Sequence, residues 1–499
     1  MNNKYKYCIL IFLIIYGIVS FSTITIFPFV HSDEAWLAGL SNTIITETTI
    51  DTTESFFDLY PRNPHAIKVL FNFVQMFFIQ VFGLNITAMR LISLIFSLIS
   101  SYLFNNIVYS LTKSKSIAFF SMLLFIINIQ FIYMSHFARQ ESILLFLLLL
   151  NIAYLYKSKK PLPLVSGLIS SVGVGIHPNS FIIFLPILAY WILGKKIKDI
   201  VIYLLTLSFS ALLFILWSFS LDPNFINNYL NYGDELGVKM TLIDKAYQIK
   251  YFYLKLYYGI SGTYYTPNIK AIFYISILTI LSTLYLICKR KIKPNVLICF
   301  IAINIGYIFI GRYNQTSIIF IIPFIVLMIS EILLNIDKKH LRNAVIVFIL
   351  LIISINTFVN MNNHYYSETY DDYLNNLELI LPENAVVLGN LNTLFAFNTN
   401  RFYDYRNLGY LPIDKTFANY IYERNIEYII YPEEMDFIYN TRPLWNGLYG
   451  NVYPYYEDMK NFFDNSCTIV GNFNSPVYGM RIVRYIEDKE YNIVVYKVK

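Results

Sequence analysis

Two adjacent carboxylates, Asp33 and Glu34, follow the first long apolar segment of the chain. A carboxylate at the boundary of a low-dielectric medium can have a raised pKa and act as a general base, taking a proton from an attacking hydroxyl or amine. The same pair could instead cap a helix at Ala35–Ser41, since acidic side chains are common at helix N-termini. Their position alone leaves both interpretations open.

Basic residues shortly after this pair could bind an anion. The sequence Pro61-Arg62-Asn63-Pro64-His65 opens a further apolar stretch, and Lys68 follows within it. A helix N-terminus with nearby cations is a natural phosphate site, and the two prolines would stiffen the approach to it. An ordinary proline-rich turn is the alternative. Arg62, His65 and Lys68 are therefore candidate phosphate ligands.

Charged residues also stand at the start of the fourth apolar segment, as Arg139-Gln140-Glu141. Ser142–Tyr156 is too short to cross a bilayer, so we expect the helix to begin near His136, which places both charges at the membrane boundary. Residues two apart on a helix point in different directions, which predicts separate partners for Arg139 and Glu141. Snorkelling of both side chains to the lipid headgroups is the alternative.

Two further turns carry polar groups. His177, in Gly175-Ile176-His177-Pro178-Asn179, could hydrogen-bond a polar substrate or be a turn histidine. Arg312 and Tyr313, in the short segment Gly311-Arg312-Tyr313-Asn314, could hold a phosphate or belong to the aromatic belt at a membrane surface. The meaning of each turn depends on the elements around it and on the side of the membrane that it occupies.

The composition is that of a membrane protein. Of the 499 residues, 56% are hydrophobic and only 14% are charged, and the mean hydropathy is +0.50, whereas a soluble protein carries about 25% charged residues. This shortage of charge excludes a soluble globular protein, because lipid must cover part of the surface. Lys4 and Lys6 precede a long apolar run without a small-residue cleavage pattern, which predicts a retained first helix rather than a signal peptide.

About eleven apolar segments are candidate membrane spans, since a spanning helix needs roughly 20 apolar residues. They are Tyr7–Pro28, Ile86–Ser110, Ile117–Tyr133, His136–Tyr156, Leu162–Ile176, Asn179–Leu193, Ile200–Ser220, Lys270–Cys288, Pro294–Ile310, Ser317–Leu334 and Asn343–Val359. The fifth and sixth are short and are interrupted by His177-Pro178, so they could form one bent helix.

The distribution of charge favours separate fifth and sixth spans. With a cytoplasmic N-terminus, every short basic cluster lies on the inner side, as the positive-inside rule requires. These clusters are Lys113/Lys115, Lys157/Lys159/Lys160, Lys195/Lys196/Lys198, Lys289/Arg290/Lys291/Lys293 and Lys338/Lys339/Arg342. Merging the two spans would place the later clusters outside.

This topology places the loops 29–85 and 221–269 on the outer side, together with the C-terminal part of the chain. All the polar features described above then fall on the outer side, which predicts one polar cavity at the outer membrane boundary. Within the first outer loop, Ala66–Phe82 is apolar but too short and polar for a span. We expect it to be an amphipathic helix lying along the membrane surface.

The long apolar runs end near Met361–His364, which divides the chain into a transmembrane part, 1–361, and an extracytoplasmic part, 362–499. The latter is predicted to be mixed α/β. Its predicted elements are a helix at Asp414–Arg424 and strands at Ala385–Leu388, Tyr428–Tyr431, Ile482–Tyr485 and Asn492–Lys497. The four cysteines show neither a disulfide pattern nor a metal-site spacing, so we expect no cofactor and a metal-independent mechanism.

The order of these motifs resembles the GT-C superfamily of membrane glycosyltransferases. The closest likeness is to its family 39 type, which includes protein O-mannosyltransferases and the aminoarabinose transferases acting on lipid A. The resemblance covers about residues 7–335. Its elements are the first span, Asp33-Glu34, the basic stretch with its prolines, the surface helix, Phe82–Leu91, Arg139-Gln140-Glu141 in place of the family's Arg-x-Asp/Glu, and Arg312-Tyr313 before a span that contains Pro323.

The resemblance implies an α-helical polytopic fold and a sugar donor carried on a polyprenyl phosphate. The sugar would move, with inversion, to an acceptor at the outer face of the plasma membrane. Asp33 would be the general base, with Glu34 supporting it or positioning the acceptor. Candidates for the donor phosphate are Arg62, His65, Lys68, Arg139, Arg312 and Tyr313. Further cavity residues would be Glu141, His177 and Arg90.

The chain departs from this family in one respect. Many members place a basic residue directly before the proline that opens the surface helix, where this chain has Asn63. A lipid phosphate is already a good leaving group, so the reaction needs mainly a base, a cation near the phosphate and a site shielded from water. The acceptor could be a protein, a lipid or a glycan, and no nucleic-acid partner is expected. A transporter or flippase of lipid-linked sugars is the alternative function, although the two halves show no clear internal repeat.

Overall fold

A bundle of helices is followed by a small α/β domain. The computed structural model describes residues 3–235, 240–259, 266–310, 315–362, 368–397, 401–441, 453–479 and 491–499. Within these ranges the α-helices before residue 363 are α1 (Asn3–Ser22), α2 (Ser32–Glu47), α3 (Val69–Phe82), α4 (Ile86–Thr112), α5 (Lys115–Ile126), α6 (Ile129–Ser135), α7 (Glu141–Lys157), α8 (Pro163–Ile176), α9 (Phe181–Leu193), α10 (Ile197–Leu221), α11 (Phe225–Glu235), α12 (Leu242–Tyr258), α13 (Lys270–Cys288), α14 (Asn295–Ile310), α15 (Ile322–Leu334) and α16 (Lys339–Asn362).

Six helical segments of the described chain are long and apolar enough to cross a membrane. They are Lys4–Ser22, Ile86–Thr112, Ile197–Leu221, Lys270–Cys288, Gln315–Leu334 and Lys339–Asn362. The pair α5 and α6 also passes this test, but it is bent by 65° at its break. Each of the other predicted spans coincides with a shorter helix, namely α7, α8, α9 and α14, which have 17, 14, 13 and 16 residues.

The outer helices of the bundle present apolar surface that lipid must cover. Only 6% of the apolar window of α10 is buried inside the protein, and 17% of that of α16, against 83% for Gln315–Leu334. Ile18 and Phe209, on α1 and α10, are 66% and 62% exposed. A soluble protein rarely exposes contiguous apolar surface on this scale. The chain is therefore a multi-pass membrane protein, with α4, α5, α7 and α15 contributing much of its buried core.

Two predicted spans differ from the structure. The span predicted at Ile117–Tyr133 is broken, because Asn128 accepts a hydrogen bond from Gln130 N and starts the separate helix α6. The span predicted to begin near His136 instead begins as α7 at Glu141, with Gln140 at its N-cap. Residues 136–140 form a turn between α6 and α7 and not the first turn of a helix.

The predicted surface helix at Ala66–Phe82 is present as α3, which ends at Gly83. Gly83 has a φ of +81°, a conformation that glycine adopts without strain. One side of α3 is polar and packs on α2, where Ser41 donates a hydrogen bond to Gln75 at 2.8 Å. Phe77, on another side, is 60% exposed. This division into a packed polar side and an exposed apolar side is that of an amphipathic helix.

The C-terminal domain is built on one mixed sheet. Its strands are β1 (Val387–Gly389), β2 (Phe402–Asp404), β3 (Tyr428–Pro432), β4 (Cys467–Ser475) and β5 (Tyr491–Val498), in the order β2-β1-β3-β5-β4. β1 is parallel to β2 and β3, and β5 is antiparallel to β3 and β4. Its helices are α17 (Tyr370–Glu378), α18 (Phe417–Glu423), α19 (Glu434–Thr441) and α20 (Tyr456–Ser466).

The predicted elements of this domain are present where they are described. β1, β3 and β5 lie at the predicted strands, and α18 lies within the predicted helix. The strand predicted at Ile482–Tyr485 lies outside the described residues. β2 and β4 are additions to the predicted set. Hydrophobic side chains pack on both sides of the sheet, so the domain has its own core.

The C-terminal domain is joined to the loop between α2 and α3. Asn407, which is fully buried, accepts hydrogen bonds from the backbone amides of Leu59 and Tyr60 at 3.2 and 3.3 Å. Its side-chain amide donates to the Phe56 carbonyl at 2.8 Å. Since a buried backbone group without a partner is costly, these three bonds fix the loop against the domain.

Candidate active site

The first turn of α2 carries the two adjacent carboxylates. His31 is its N-cap, and its Nδ1 accepts a hydrogen bond from Asp33 N at 3.0 Å. Glu34 Oε1 in turn accepts a hydrogen bond from His31 N at 3.0 Å. This reciprocal pairing satisfies amides that a helix leaves open at its start. It directs the Glu34 side chain inward, while 23% of the Asp33 side chain remains exposed.

Glu34 forms a buried ion pair with Arg90, in the first turns of α4. The guanidinium donates to the two Glu34 oxygens at 2.7 and 2.8 Å, and neither side chain has exposed surface. Ala138 N also donates to Glu34, at 2.8 Å. The other Arg90 hydrogen bonds go to backbone carbonyls in the turn between α1 and α2, those of Ile24, Pro28 and Phe29.

Because of this ion pair, Glu34 is not available to position the acceptor, and Arg90 is not a cavity residue as the sequence predicted. Each Glu34 oxygen already accepts two hydrogen bonds, so it offers no open position to a substrate proton. Arg90 is enclosed beneath the turn and does not line an open cavity. Both residues instead fix the α1–α2 turn, and with it the position of Asp33.

Asp33 lies against Arg139, from the turn before α7. Arg139 Nη1 is 2.5 Å from Asp33 Oδ2, and Arg139 Nε is 3.5 Å from Glu141 Oε2. The prediction that Arg139 and Glu141 have separate partners is therefore wrong. It assumed that both residues lie on one helix, whereas Arg139 precedes α7 and is not bound by helical geometry. The guanidinium thus lies between two carboxylates that belong to α2 and α7.

Lys68, the N-cap of α3, lies close enough to Arg62 and Arg139 for their positive charges to act on it. Burial lowers the pKa of Lys68 from 10.5 to about 8, and the charges of Arg62 and Arg139 act in the same direction. The carboxylates of Glu54 and Asp33 act in the opposite direction with smaller effect. Within the described part of the chain, the Lys68 ammonium forms no ion pair. An anion placed beside Lys68 would be stabilised mainly by the Lys68 charge, because Arg62 and Arg139 are already paired with carboxylates.

Arg62 is held by residues that were not predicted to belong to the site. It pairs with Glu54 at 2.8 Å, and Glu54 also accepts a hydrogen bond from Trp36 Nε1. The guanidinium lies over the rings of Trp36 and Tyr232, 5.1 and 4.9 Å from their centroids. Arg406, from the C-terminal domain, also lies over Trp36, at 4.6 Å. Such cation–π contacts are worth about 0.5–2 kcal/mol each.

The two histidines of the predicted site are neutral. Burial lowers the pKa of His65 to about 3, and Lys68 acts in the same direction. Burial also lowers the pKa of His177 well below its usual range. His177 Nδ1 accepts a hydrogen bond from Asn179 N at 3.1 Å at the end of α8. A neutral imidazole offers a phosphate a hydrogen bond but no charge.

A shallow cleft, open to solvent, lies between the loop 61–65 and α11. Tyr229, Tyr232 and Asn228 of α11 line one side of the cleft, and His65 lines the other. The negative charge of Asp33 and the positive charge of Arg62 both act on the Tyr232 hydroxyl. Asp33 does not line the cleft, which is joined to the rest of the site through Arg62.

Most of the predicted site residues meet at one end of the bundle. Asp33, Arg139 and Glu141 are in contact, and the fields of Arg62 and Arg139 reach Lys68. Lys68 and Arg139 also act on His177. Arg312 and Tyr313 lie outside the described residues. In the ranges that are described, no group of three or more His, Cys, Asp or Glu side chains is placed to hold a metal ion.

Glu54, Trp36, Tyr232 and Arg406 join the site without having been predicted. Trp36 lies three residues after Asp33, which places it one helical turn away, and this spacing is the one signal that could have found it. Glu54 is 2% exposed although it lies in a loop rich in Thr and Ser. Its burial depends on Arg62 and Trp36, which no local pattern reveals.

Comparison with known proteins is consistent with this geometry. The family model described as "Dolichyl-phosphate-mannose-protein mannosyltransferase" matches residues 66–169, which include Lys68, Arg90 and Arg139. No curated protein matches the chain by sequence.

Solved structures match almost the whole chain. ArnT from Cupriavidus metallidurans, bound to undecaprenyl phosphate, has a TM-score of 0.55 and 10% sequence identity over 97% of each chain. The same protein in the apo state has a TM-score of 0.57 and 9% identity over 97% of each chain. The archaeal oligosaccharyltransferase AglB from Archaeoglobus fulgidus, in complex with an inhibitory peptide and a dolichol-phosphate, has a TM-score of 0.54 and 13% identity over 98% of this chain and 76% of its own.

The likeness to both proteins extends through the bundle and the C-terminal domain, since it covers at least 97% of this chain. The chain therefore shares the fold of ArnT and AglB over almost its whole length.

Proposed function

We propose that this protein transfers a sugar from a polyprenyl-phosphate donor to an acceptor at the outer face of the membrane. The observation that carries the proposal is the position of Asp33. Its carboxylate is partly exposed at one end of the bundle and lies 2.5 Å from Arg139, in the field of Lys68. A base beside a cluster of cations is what glycosyl transfer from a lipid phosphate requires.

In the proposed reaction, Asp33 accepts the proton of an acceptor hydroxyl. The hydroxyl oxygen forms a bond to the anomeric carbon of the donor sugar, from the face opposite the phosphate. The bond between the anomeric carbon and the phosphate oxygen breaks, and its electron pair stays on the polyprenyl phosphate. One displacement of this kind inverts the configuration of the anomeric carbon.

Lys68 is the best placed residue for the donor phosphate. Arg62 and Arg139 already pair with carboxylates, at 2.8 and 2.5 Å, whereas the Lys68 ammonium forms no ion pair with any described residue. With a pKa of about 8, Lys68 is mostly protonated at neutral pH. The neutral His65 and His177 are suited to hydrogen bonds with sugar hydroxyls and not to charge neutralisation. ArnT and AglB have been solved with undecaprenyl phosphate and a dolichol-phosphate, which supports a lipid-linked donor.

The proposed orientation places the N-terminus in the cytoplasm and the site outside. Its support is the positive-inside rule, because the basic clusters Lys157/Lys159/Lys160 and Lys289/Arg290/Lys291/Lys293 lie at the end of the bundle away from Asp33. In this orientation the C-terminal domain is extracytoplasmic.

The substitution Asp33→Asn tests the proposal. We expect it to reduce transfer by at least about 100-fold, because general-base catalysis contributes a factor of that order. The assay would use purified protein in detergent with a polyprenyl-phosphate sugar, and mass spectrometry of the product. Asp51→Asn, which changes an exposed carboxylate in the loop after α2, is the matched control and should keep full activity.

An Asp33→Asn variant with normal turnover would remove this residue from the mechanism. The same assay addresses a transporter of lipid-linked sugars, since detergent leaves no second compartment. Product formation by the wild-type protein in detergent would exclude transport as its whole function.

A further inference from the structure

The helix α12 has two hydrophobic sides, of which one packs on the bundle and the other is exposed. Phe252 and Leu256 are buried in the core of the bundle, and Ile249 packs against that core. On the opposite side, large exposed side chains recur every three or four residues and form what we call the exposed stripe, namely Ile243, Tyr247, Tyr251, Leu254 and Tyr258. This spacing follows the helical repeat, so the stripe is continuous along the helix. An amphipathic helix needs one apolar face to pack on its protein, and the second apolar face of α12 requires a different partner.

Two side-chain contacts fix the position of α12 along α14. The Lys245 ammonium donates a hydrogen bond to the Phe309 carbonyl at 3.2 Å, and the Tyr253 hydroxyl donates to Asn304 Oδ1. The contacts thus move along α14 from residue 309 to residue 304, which is a descent of about 7.5 Å at the rise of an α-helix. The helix α12 therefore runs down along the last turns of an apolar helix and does not project away from the bundle.

The exposed stripe is continuous with surface that lipid covers. At the same depth, Ile305 and Phe309 of α14 are exposed. At the other end of α12, the Tyr257 and Tyr274 hydroxyls are hydrogen-bonded at 2.7 Å. Tyr274 belongs to the exposed surface of α13, a helix that is long and apolar enough to cross a membrane. A partner of the exposed stripe must therefore fit beside acyl chains at both ends of α12.

Lysines border the exposed stripe on both sides. The helix α12 carries Lys245, Lys250 and Lys255 and one acidic residue, Asp244. At 3.6 residues per turn, Lys250 and Lys255 project about 60° and 80° from the centre of the stripe, in opposite directions, and both side chains are exposed. Tyrosine hydroxyls and lysine ammonium groups beside apolar side chains are typical of protein surfaces at the level of lipid headgroups. The positive charge favours headgroups that are anionic.

We propose that the exposed stripe of α12 is immersed in the lipid leaflet on the Asp33 side of the membrane, where Lys250 and Lys255 bind the headgroups of anionic phospholipids. The side of the membrane follows from Phe309, which lies at the end of α14 away from the basic cluster that precedes this helix. The surface is separate from the residues around Asp33, so the inference does not depend on the proposed glycosyl transfer. A second copy of this chain is the competing occupant of the stripe.

Photocrosslinking of the full-length protein in vesicles of phosphatidylcholine and phosphatidylglycerol tests this inference. Tyr247 is replaced by p-benzoylphenylalanine, which keeps an aromatic ring and bonds to nearby C–H groups on irradiation. We expect phospholipid adducts of the peptide that contains position 247, detected by mass spectrometry, with a yield similar to that from the same replacement of Phe209 on the exposed side of α10. The replacement of Tyr422, which is exposed in the C-terminal domain, is the control and should give no phospholipid adduct.

Substitution of the two lysines tests the contact with anionic headgroups. In the protein with both lysines, phosphatidylglycerol should be enriched among the adducts at position 247 relative to its share of the vesicle. Lys250→Gln combined with Lys255→Gln should lower this enrichment by up to about fivefold for each lysine, the effect of one basic residue near an anionic surface. Lys159→Gln combined with Lys160→Gln, both exposed at the other end of the bundle, is the matched control and should leave the enrichment unchanged.

The same experiment provides the contrary outcomes. Crosslinks from position 247 to a second copy of the chain, seen as a dimer on denaturing gels, would assign the exposed stripe to a protein interface and overturn the inference. Phospholipid adducts from position 209 with none from position 247 would place the stripe in water and overturn it as well. Equal enrichment of phosphatidylglycerol with and without Lys250 and Lys255 would contradict the binding of anionic headgroups.

Discussion

Arg62 and Arg139 are paired with carboxylates, and Lys68 differs from them in this respect. Arg62 and Arg139 each contact a carboxylate within 2.8 Å, so much of their charge is compensated before any substrate binds. Lys68 has no such partner among the described residues, and it is held beside both guanidinium groups. The burial that lowers its pKa also makes its charge more effective toward an incoming anion, because less water screens it.

The lowered pKa of Lys68 predicts a pH-dependent affinity for the donor. In the proposed function, Lys68 binds the donor phosphate in its charged form, which predominates below pH 8 and is lost as the pH rises through its pKa of about 8. We expect kcat/KM for the donor to decrease between about pH 8 and pH 9, since this ratio follows the ionisation of the free enzyme. Initial rates measured at low donor concentration across this range would show the decrease.

Two substitutions identify Lys68 as the source of that pH dependence. Lys68→Met should raise the donor KM by about 10–100-fold, because a charged hydrogen bond is worth about 1.5–3 kcal/mol, and should abolish the decrease above pH 8. Lys68→Arg should retain the charge and remain flat to higher pH. An unchanged pH profile in Lys68→Met would assign the titration to another group.

Among the elements, the α1–α2 turn depends on α4. Arg90 makes five hydrogen bonds to the turn and to Glu34, from one end of a helix that is largely buried. The guanidinium is suited to this because its donors lie in a fixed planar fork. Asp33, the proposed general base, is thus positioned by a residue that is itself fully buried.

Arg90→Lys tests this positioning role. A lysine can offer at most three donors and cannot reproduce the fork, so Glu34 and several carbonyls would lose buried partners. We expect a loss of stability of about 3–5 kcal/mol, as for a broken buried ion pair, and a lower kcat with little change in the donor KM. Thermal unfolding in detergent and steady-state kinetics would measure both effects. A stable variant with wild-type kcat would show that the turn does not need Arg90.

The helices could be predicted from the sequence more accurately than the connections between them. Apolar runs predicted all six helical segments of the described chain that are long enough to cross a membrane, because lipid imposes length and composition on a helix wherever it lies in the fold. The break at Asn128 had a local signal, an Asn cap inside an apolar run, which was not used. β4 escaped prediction because Gly471, Asn472 and Asn474 interrupt its apolar pattern, and its pairing with β5 supplies what its own sequence lacks.

In the site as well, some contacts could be predicted from the sequence, and others depend on how distant helices pack. The meeting of Asp33 and Arg139 was expected, since both lie at the same end of the predicted spans. The ion pair between Glu34 and Arg90 was not, because it joins residues 56 positions apart and depends on how α2 docks on α4. A helix-capping role for the acidic pair, kept open as an alternative, holds for Glu34.

At the scale of the whole molecule, the loop that follows α2 is shared between the two parts of the chain. Asn407 binds three backbone groups of this loop, and Asp58 pairs with Arg424 of the C-terminal domain. Val30 N, just before the first turn of α2, donates a hydrogen bond to the Tyr478 hydroxyl at 3.2 Å. The domain therefore contacts the chain on both sides of α2, which carries Asp33.

Asn407→Ala should lower the stability of the protein by about 2 kcal/mol. The side chain is fully buried, and its loss leaves the backbone amides of Leu59 and Tyr60 without this partner at about 1 kcal/mol each, whereas the Phe56 carbonyl keeps its hydrogen bond from Asp404 N. Denaturant unfolding followed by the fluorescence of Trp36 and the other tryptophans would measure the change. Asn461→Ala, on the exposed side of α20, should alter the stability by less than about 0.5 kcal/mol. Equal effects of the two substitutions would contradict the role given to Asn407.

The contact between Arg406 and Trp36 limits which segments can be exchanged between this protein and proteins of the same fold. Trp36 is in the second turn of α2, and Arg406 contacts it from the C-terminal domain. Consider a chimera in which the segment after α16 is replaced by that of a distant relative. The Trp36 indole would lose the contact with Arg406, and the loop that follows α2 would lose its hydrogen bonds with Asn407. A functional chimera would therefore have to exchange residues 29–85 together with the C-terminal segment, although the two segments are far apart in the sequence.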